Sequence, residues 1–195
     1  MEPNRILFKS FLSSPYYKGE YPTDDAIAFV LPLFKKVLSL HEAGLVGPFD
    51  NEDAIFVTEG VADIDETMAH APTNALYRVQ ALFPRRDAGP FDTPERNTGP
   101  HPSYLSGYRS FEHDLGHHDP LTDIFCLGLV LASIALGLDL YDPEDKARLA
   151  KLRLHPTQQH PRIHPALGRL ITEMTEPDRS RRSQEIGRAS CRERV

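Results

Sequence analysis

Thr122–Leu138, TDIFCLGLVLASIALGL, decides the fold. After Asp123, everything in it is apolar except Ser133 and the glycines 128 and 137, and no polar stripe recurs at any period. A helix that is apolar all round has no face for water, so it belongs inside other structure. It is too short for a bilayer, which takes about 20 such residues. Thr122 is placed to cap its start, with the Asp123 charge against the positive end of the dipole. Gly137 marks its end. The sequence therefore predicts a buried central helix with the remaining segments packed around it.

Working outward, the N-terminal side supplies one long helix. Thr23 reads as its cap, with Asp24 and Asp25 in the first turn. Ile27, Val30, Leu31, Phe34, Val37, Leu38 and His41 recur at helical spacing and predict its buried face. Pro32 interrupts the pattern, and Gly44 provides a stop. Before it, Ile6–Leu12 predicts a short strand and Ser13–Tyr21 a loop. After it, the runs Ala54–Val57 and Val61–Ile64, split by TEG, predict a small hairpin. Residues Glu66 to Leu105 are irregular and carry Pro72, Pro84, Pro90, Pro94, Pro100 and Pro102, with a helical turn or two expected at Asn74–Phe83. Beyond the central helix, Pro143–Leu154 and Ala166–Thr175 predict helices around a Pro/His loop. The class is mainly α, with a minor β element.

Composition narrows function. The 195 residues carry a net charge of −6, which excludes the basic patches of non-specific nucleic-acid binding. No signal peptide or membrane span is visible. The final eleven residues, EIGRASCRERV from Glu185 to Val195, match the one-frame translation of a common sequencing-adapter read. We read them as an assembly artefact, which leaves residues 1–184 as the domain. Setting aside their three Arg and two Glu takes the net charge from −6 to −7. Cys126 is then the remaining cysteine, with no partner for an intrachain disulfide, which fits a cytoplasmic protein. Its place in the apolar run makes it a small buried hydrophobe rather than a nucleophile.

TDIFCLGLVLASIALGLDLYD resembles the central buried helix of the protein-kinase C-terminal lobe, which reads Ser-Asp-apolar-aromatic-x-Leu-Gly and closes on Gly. GYRSFE, Gly107 to Glu112, is similar to the Ala-Pro-Glu end of the kinase activation segment. MTEPDRSRRS, Met174 to Ser183, is similar to the family's late Asp-Pro-x-x-Arg turn. Leu40 to Val46, LHEAGLV, resembles the helix end that leads into the catalytic loop. In order and spacing the resemblance covers most of the chain. It implies a C-terminal lobe with its N-terminal lobe largely absent, so that a glycine-rich loop and lysine either lie upstream of Met1 or do not exist.

Phosphoryl transfer needs an Asp to orient the hydroxyl, an Asn five residues later and a second Asp, both for metal. By the resemblance, the His-Arg-Asp slots hold Gly47, Pro48 and Phe49, and the Asn slot holds Ala54. Neither Phe49 nor Ala54 offers a polar ligand. Asp50 stands one residue off the base position, but five residues on lies the apolar Ile55; its ordinary reading is a turn residue in PFDNED. Asp65 aligns with the Asp-Phe-Gly aspartate and is the remaining candidate for Mg2+ and, through it, nucleotide; its ordinary reading is a solvated strand end. Pro48 also removes the arginine that would gather a phosphate on Thr93, Thr98 or Ser103.

Three structural residues persist in the same alignment. The resemblance pairs Glu112 with Arg182 and has Asp123 hold the catalytic-loop backbone. His113, His117 and His118, like His155, His160 and His164, lack the paired spacing of structural zinc sites, so surface or capping roles are expected. The basic run Arg179, Arg181, Arg182 reads as a structural arginine with solvated neighbours. Together these point to a pseudokinase acting through protein partners or other domains of a longer polypeptide. The competing expectation is an ATP- and Mg2+-dependent Ser/Thr kinase that uses Asp50 or Asp65.

Overall fold

The computed structural model describes residues 5–73, 104–152, 163–179 and 181–182. The expected positions at Asn74–Phe83, Thr93, Thr98, Ser103, His155, His160 and Glu185–Val195 lie outside them. In chain order the elements are β1 (Arg5–Leu7), α1 (Phe8–Leu12), α2 (Thr23–Glu42), β2 (Ile55–Thr58), β3 (Val61–Ile64), α3 (Phe111–Asp114), α4 (Pro120–Leu136), α5 (Pro143–Leu152) and α6 (Pro165–Met174). Short 3-10 turns at Glu52–Ala54 and Glu66–Met68 flank the hairpin. The class is mainly α with one small antiparallel sheet.

Helix α4 is the centre. Every residue from Thr122 to Leu136 is buried, as a helix without a polar face requires. Its start lies three residues earlier than the sequence suggested. Asp119 is the N-cap and accepts from the amides of Leu121 and Thr122 (2.9 and 3.1 Å), and the Thr122 hydroxyl accepts from Asp119 N–H in return. Pro120 follows at the first helical position, where its missing N–H costs nothing. Thr122 is thus the third residue of a capping box rather than the cap. The helix ends as expected at the left-handed Gly137 (φ 66°).

Helix α2 packs against α4 and β3, and α6 packs against α4 on another side. Gly128 permits the second approach, because a Cβ there would lie 2.7 Å from Met174 Cβ and 2.9 Å from Thr175 Cγ2. The face of α2 that is buried differs from the expected one. Ala26, Phe29, Val30, Leu33, Val37 and Leu40 enter the core, whereas Ile27, Leu31 and Leu38 are exposed. Apolar residues occupy both sides of this helix, so periodicity alone could not choose between them. Pro32 does not break it: the carbonyl it leaves unpaired belongs to Ala28, on the solvent side.

The hairpin forms with Glu59 and Gly60 at φ 53° and 82°, the left-handed pair a two-residue turn demands. A third strand joins it. β1 pairs antiparallel with β2, Ile6 opposite Val57. The expected strand over Ile6–Leu12 stops at Leu7, because Phe8, Phe11 and Leu12 bury at i, i+3, i+4 spacing and the chain turns helical.

Candidate functional site

The loop from Gly44 to Ala54 is held by α4, and the hairpin that follows it packs on α2. Asp123, wholly buried, accepts from Gly47 N–H at 2.7 Å, and His41 Nε2 lies 2.8 Å from the same Oδ2. The other carboxylate oxygen has no hydrogen-bond partner among the described residues. Burial raises this carboxyl to about 6, against the pull of those two hydrogen bonds. The loop is thereby tied to the core through its backbone, by the residue expected to do so.

Phe49 follows that anchor, and its side chain points inward. It is 2% exposed and lines a crevice with Phe8, Ile55, Tyr108 and Tyr141. The remaining cavity is about 10 Å3, room for roughly one water. The Phe49 ring also lies over Gly47: a Cβ at that position would meet ring atoms at 2.6 and 2.9 Å. Ala54 is fully buried and offers only backbone groups: its N–H donates to the Asn51 carbonyl at 3.1 Å, and its carbonyl accepts from Asp65 N–H at 2.9 Å.

Asp65 does come within reach of this loop, but both of its oxygens are engaged. Oδ1 accepts from the Thr67 hydroxyl and amide at 2.6 and 3.1 Å, and Oδ2 accepts from Arg5 at 2.9 Å. The Thr67 hydrogen bonds and the Arg5 guanidinium hold its carboxyl down to about 2. A metal here would compete with a cation already in place. Asp50 points away into solvent, in a turn closed by Asn51 N–H on the Pro48 carbonyl. It faces His70 Nε2 at 3.2 Å.

On the far side of α4, Glu112 and Arg182 meet as expected. Arg182 donates to both carboxylate oxygens at 2.9 and 3.2 Å, with both side chains fully buried. It also donates to the carbonyls of Glu176, Leu121 and Pro177, and lies 4.7 Å from the centre of the Phe125 ring. Arg179, read from the sequence as a solvated neighbour, is instead largely buried, with Asp119 and Glu112 as its ion-pair partners.

The histidines divide. His164 caps α6, accepting from Ala166 N–H, and His113 Nδ1 accepts from Ser110 N–H in the capping box of α3. Burial lowers the His113 imidazole to about 4, helped by the neighbouring His118. His118 does neither job. It joins Asp50 and His70, so that one ligand atom from each lies within 4.8 Å of the others. His70 had no place in any sequence motif. The signal that would have exposed it is tertiary, a backbone pairing with Val46. Cys126 is fully buried, its thiol pushed up by burial, as a core residue should be. Among the described residues no helix is long and apolar enough to cross a membrane. No protein-family model matches the chain, and no curated protein matches it.

Proposed function

We propose that this chain is a protein-kinase-like C-terminal lobe that has given up phosphoryl transfer and acts through contacts with other proteins. The observation that carries this is Phe49, 2% exposed and lining a crevice with Phe8, Ile55, Tyr108 and Tyr141 and the charged Lys9, Glu52 and Arg109, at the position where the resemblance puts the catalytic aspartate. A general base has to reach a substrate hydroxyl, at about 2.6–3.2 Å. A buried phenyl ring neither accepts a proton nor leaves room for a substrate. Ala54 withholds the second metal ligand in the same way. The supports of such a lobe, Asp123 on Gly47 and Glu112 on Arg182, remain in place beside these substitutions.

A surface suited to partners supports the second half of the proposal. Ile27, Leu31 and Leu38 are exposed, and with the half-buried Phe34 they form one apolar stripe along α2. The test is thermal denaturation with and without Mg-ATP, together with a phosphotransfer assay on general protein substrates. Neither a melting shift nor transfer is expected, and Asp65→Ala should change nothing in either assay. Transfer abolished by Asp65→Ala would instead establish the ATP- and Mg2+-dependent kinase.

A further inference from the structure

The cluster of Asp50, His70 and His118 belongs to none of the roles above. We infer that these three residues form a binding site for a divalent transition metal of the zinc class. Their ligand atoms lie within 4.8 Å of one another, although the residues come from three separate segments. A tetrahedral zinc ion with bonds of about 2.0–2.1 Å needs ligand atoms roughly 3.3 Å apart. His70 Nε2 and Asp50 Oδ1 already stand 3.2 Å apart, so one edge of that tetrahedron is set. The remaining edges, within 4.8 Å, shorten by up to about 1.5 Å when the ion binds.

Fixed backbone carries two of the three ligands. Val46 and His70 exchange both amide hydrogen bonds, at 2.9 and 3.1 Å. His118 is joined to Thr73 by the Thr73 amide on its carbonyl (3.0 Å) and by its own amide on the Thr73 hydroxyl (2.9 Å). The segments bearing His70 and His118 are therefore stitched together only three residues from His70. An ion pair accounts for Asp50 and His70 but gives no reason for His118 to converge on them. Nδ1 of His118 is buried without a hydrogen-bond partner among the described residues.

The donor set selects the metal. Two imidazoles and one carboxylate suit zinc and its neighbours, whereas Mg2+ and Ca2+ call for oxygen alone. Asp50 and His70 have side chains 38% and 42% exposed, so a fourth position opens to water. Three protein ligands with one open position is the pattern of reactive or exchangeable zinc sites rather than of closed structural ones. The inference goes beyond the function proposed above: zinc binding here stands or falls whether or not the chain transfers phosphate.

The experiment is calorimetric titration of the metal-free chain with ZnCl2, then with MgCl2, paired with visible absorption of the Co2+ form. One zinc equivalent is expected, with tetrahedral Co2+ bands and no heat from Mg2+. Asp50→Asn, His70→Asn and His118→Asn should each weaken zinc by at least about tenfold, the scale already seen when only outer-shell partners are removed. His164→Asn, which keeps a capping side chain on α6, should bind as the parent does. Metal-free melting curves establish that each variant is folded. Should a histidine variant melt early, the exposed Asp50→Asn and its Co2+ spectrum decide. Absence of zinc uptake, or uptake unchanged in His70→Asn and His118→Asn, would overturn the site.

Discussion

Arg182 and Glu112, 70 residues apart in sequence, form a fully buried two-point ion pair beneath the N-terminal half of α4. Ser110 donates to the same carboxylate at 2.5 Å, so none of the charge is left without partners. A buried pair of this kind adds little net stability, yet removing one partner strands the other, at about 3–5 kcal/mol. Arg182→Met should therefore lower the free energy of unfolding in urea by about that amount. The double variant Glu112→Leu/Arg182→Met should cost less than the sum of the two single changes, by about 0.5–3 kcal/mol. Simple additivity would mean that the two residues act independently.

What the sequence disclosed follows from how local each signal is. The run Thr122–Leu138 is apolar on every side, and nothing but burial satisfies it. The TEG turn and the Gly137 cap carry their backbone geometry in their own residues. The start of α4 is less legible, because Thr122 and Asp119 are both good caps and the choice between them rests on Pro120 and the reciprocal box. β1 is shorter than the expected Ile6–Leu12, since Phe8, Phe11 and Leu12 also fit a helical spacing and five residues are too few for the pattern to decide. Asp50, His70 and His118 could not be grouped in advance, because only the Val46–His70 and Thr73–His118 pairings bring them together.

The face α2 presents to the core gives a direct comparison within one helix. Leu33 is fully buried and Leu31 is 43% exposed, only two residues away. Leu33→Ala should cost about 2–5 kcal/mol through lost burial and the cavity it leaves. Leu31→Ala should stay within about 0.5 kcal/mol of the parent, as surface changes do. Equal losses in urea melts would show that the stripe of Ile27, Leu31 and Leu38 is covered in solution.

Asp123 should give the fold an unusual dependence on pH. Its carboxyl is raised to about 6 in the folded chain, from an ordinary value of 3.8, chiefly by burial. Between those values the folded protein keeps a proton that the unfolded chain has released. Its contribution to stability is therefore complete below about pH 4 and is lost as pH rises through 6, by about 2–3 kcal/mol. His113 works the other way: with its imidazole lowered to about 4, it costs stability as pH falls below about 6.5. The two slopes overlap, so the quantity to measure is the difference in unfolding free energy between the parent and Asp123→Asn. That difference should drop by the stated amount from pH 4 to pH 7. A difference that is flat with pH would place the carboxylate in contact with water.

Phe49 and Gly47 provide the last test, because they share one space. A Cβ on Gly47 would stand 2.6 Å from Phe49 Cε2 and 3.4 Å from Asp123 Oδ2, so the ring excludes any larger residue there. Gly47→Ala should cost about 1–3 kcal/mol, the usual scale of overpacking. Phe49→Ala alone should cost about 3–5 kcal/mol as it empties the crevice beside Phe8 and Tyr108. In the Phe49→Ala background, Gly47→Ala meets open space, and its penalty should shrink by about 1 kcal/mol or more. Such coupling would mean that the loop is built around the phenyl ring, so that an aspartate at this position lowers stability. Equal penalties in the two backgrounds would mean that the ring turns aside from Gly47, and the proposed role of Phe49 would fail with it.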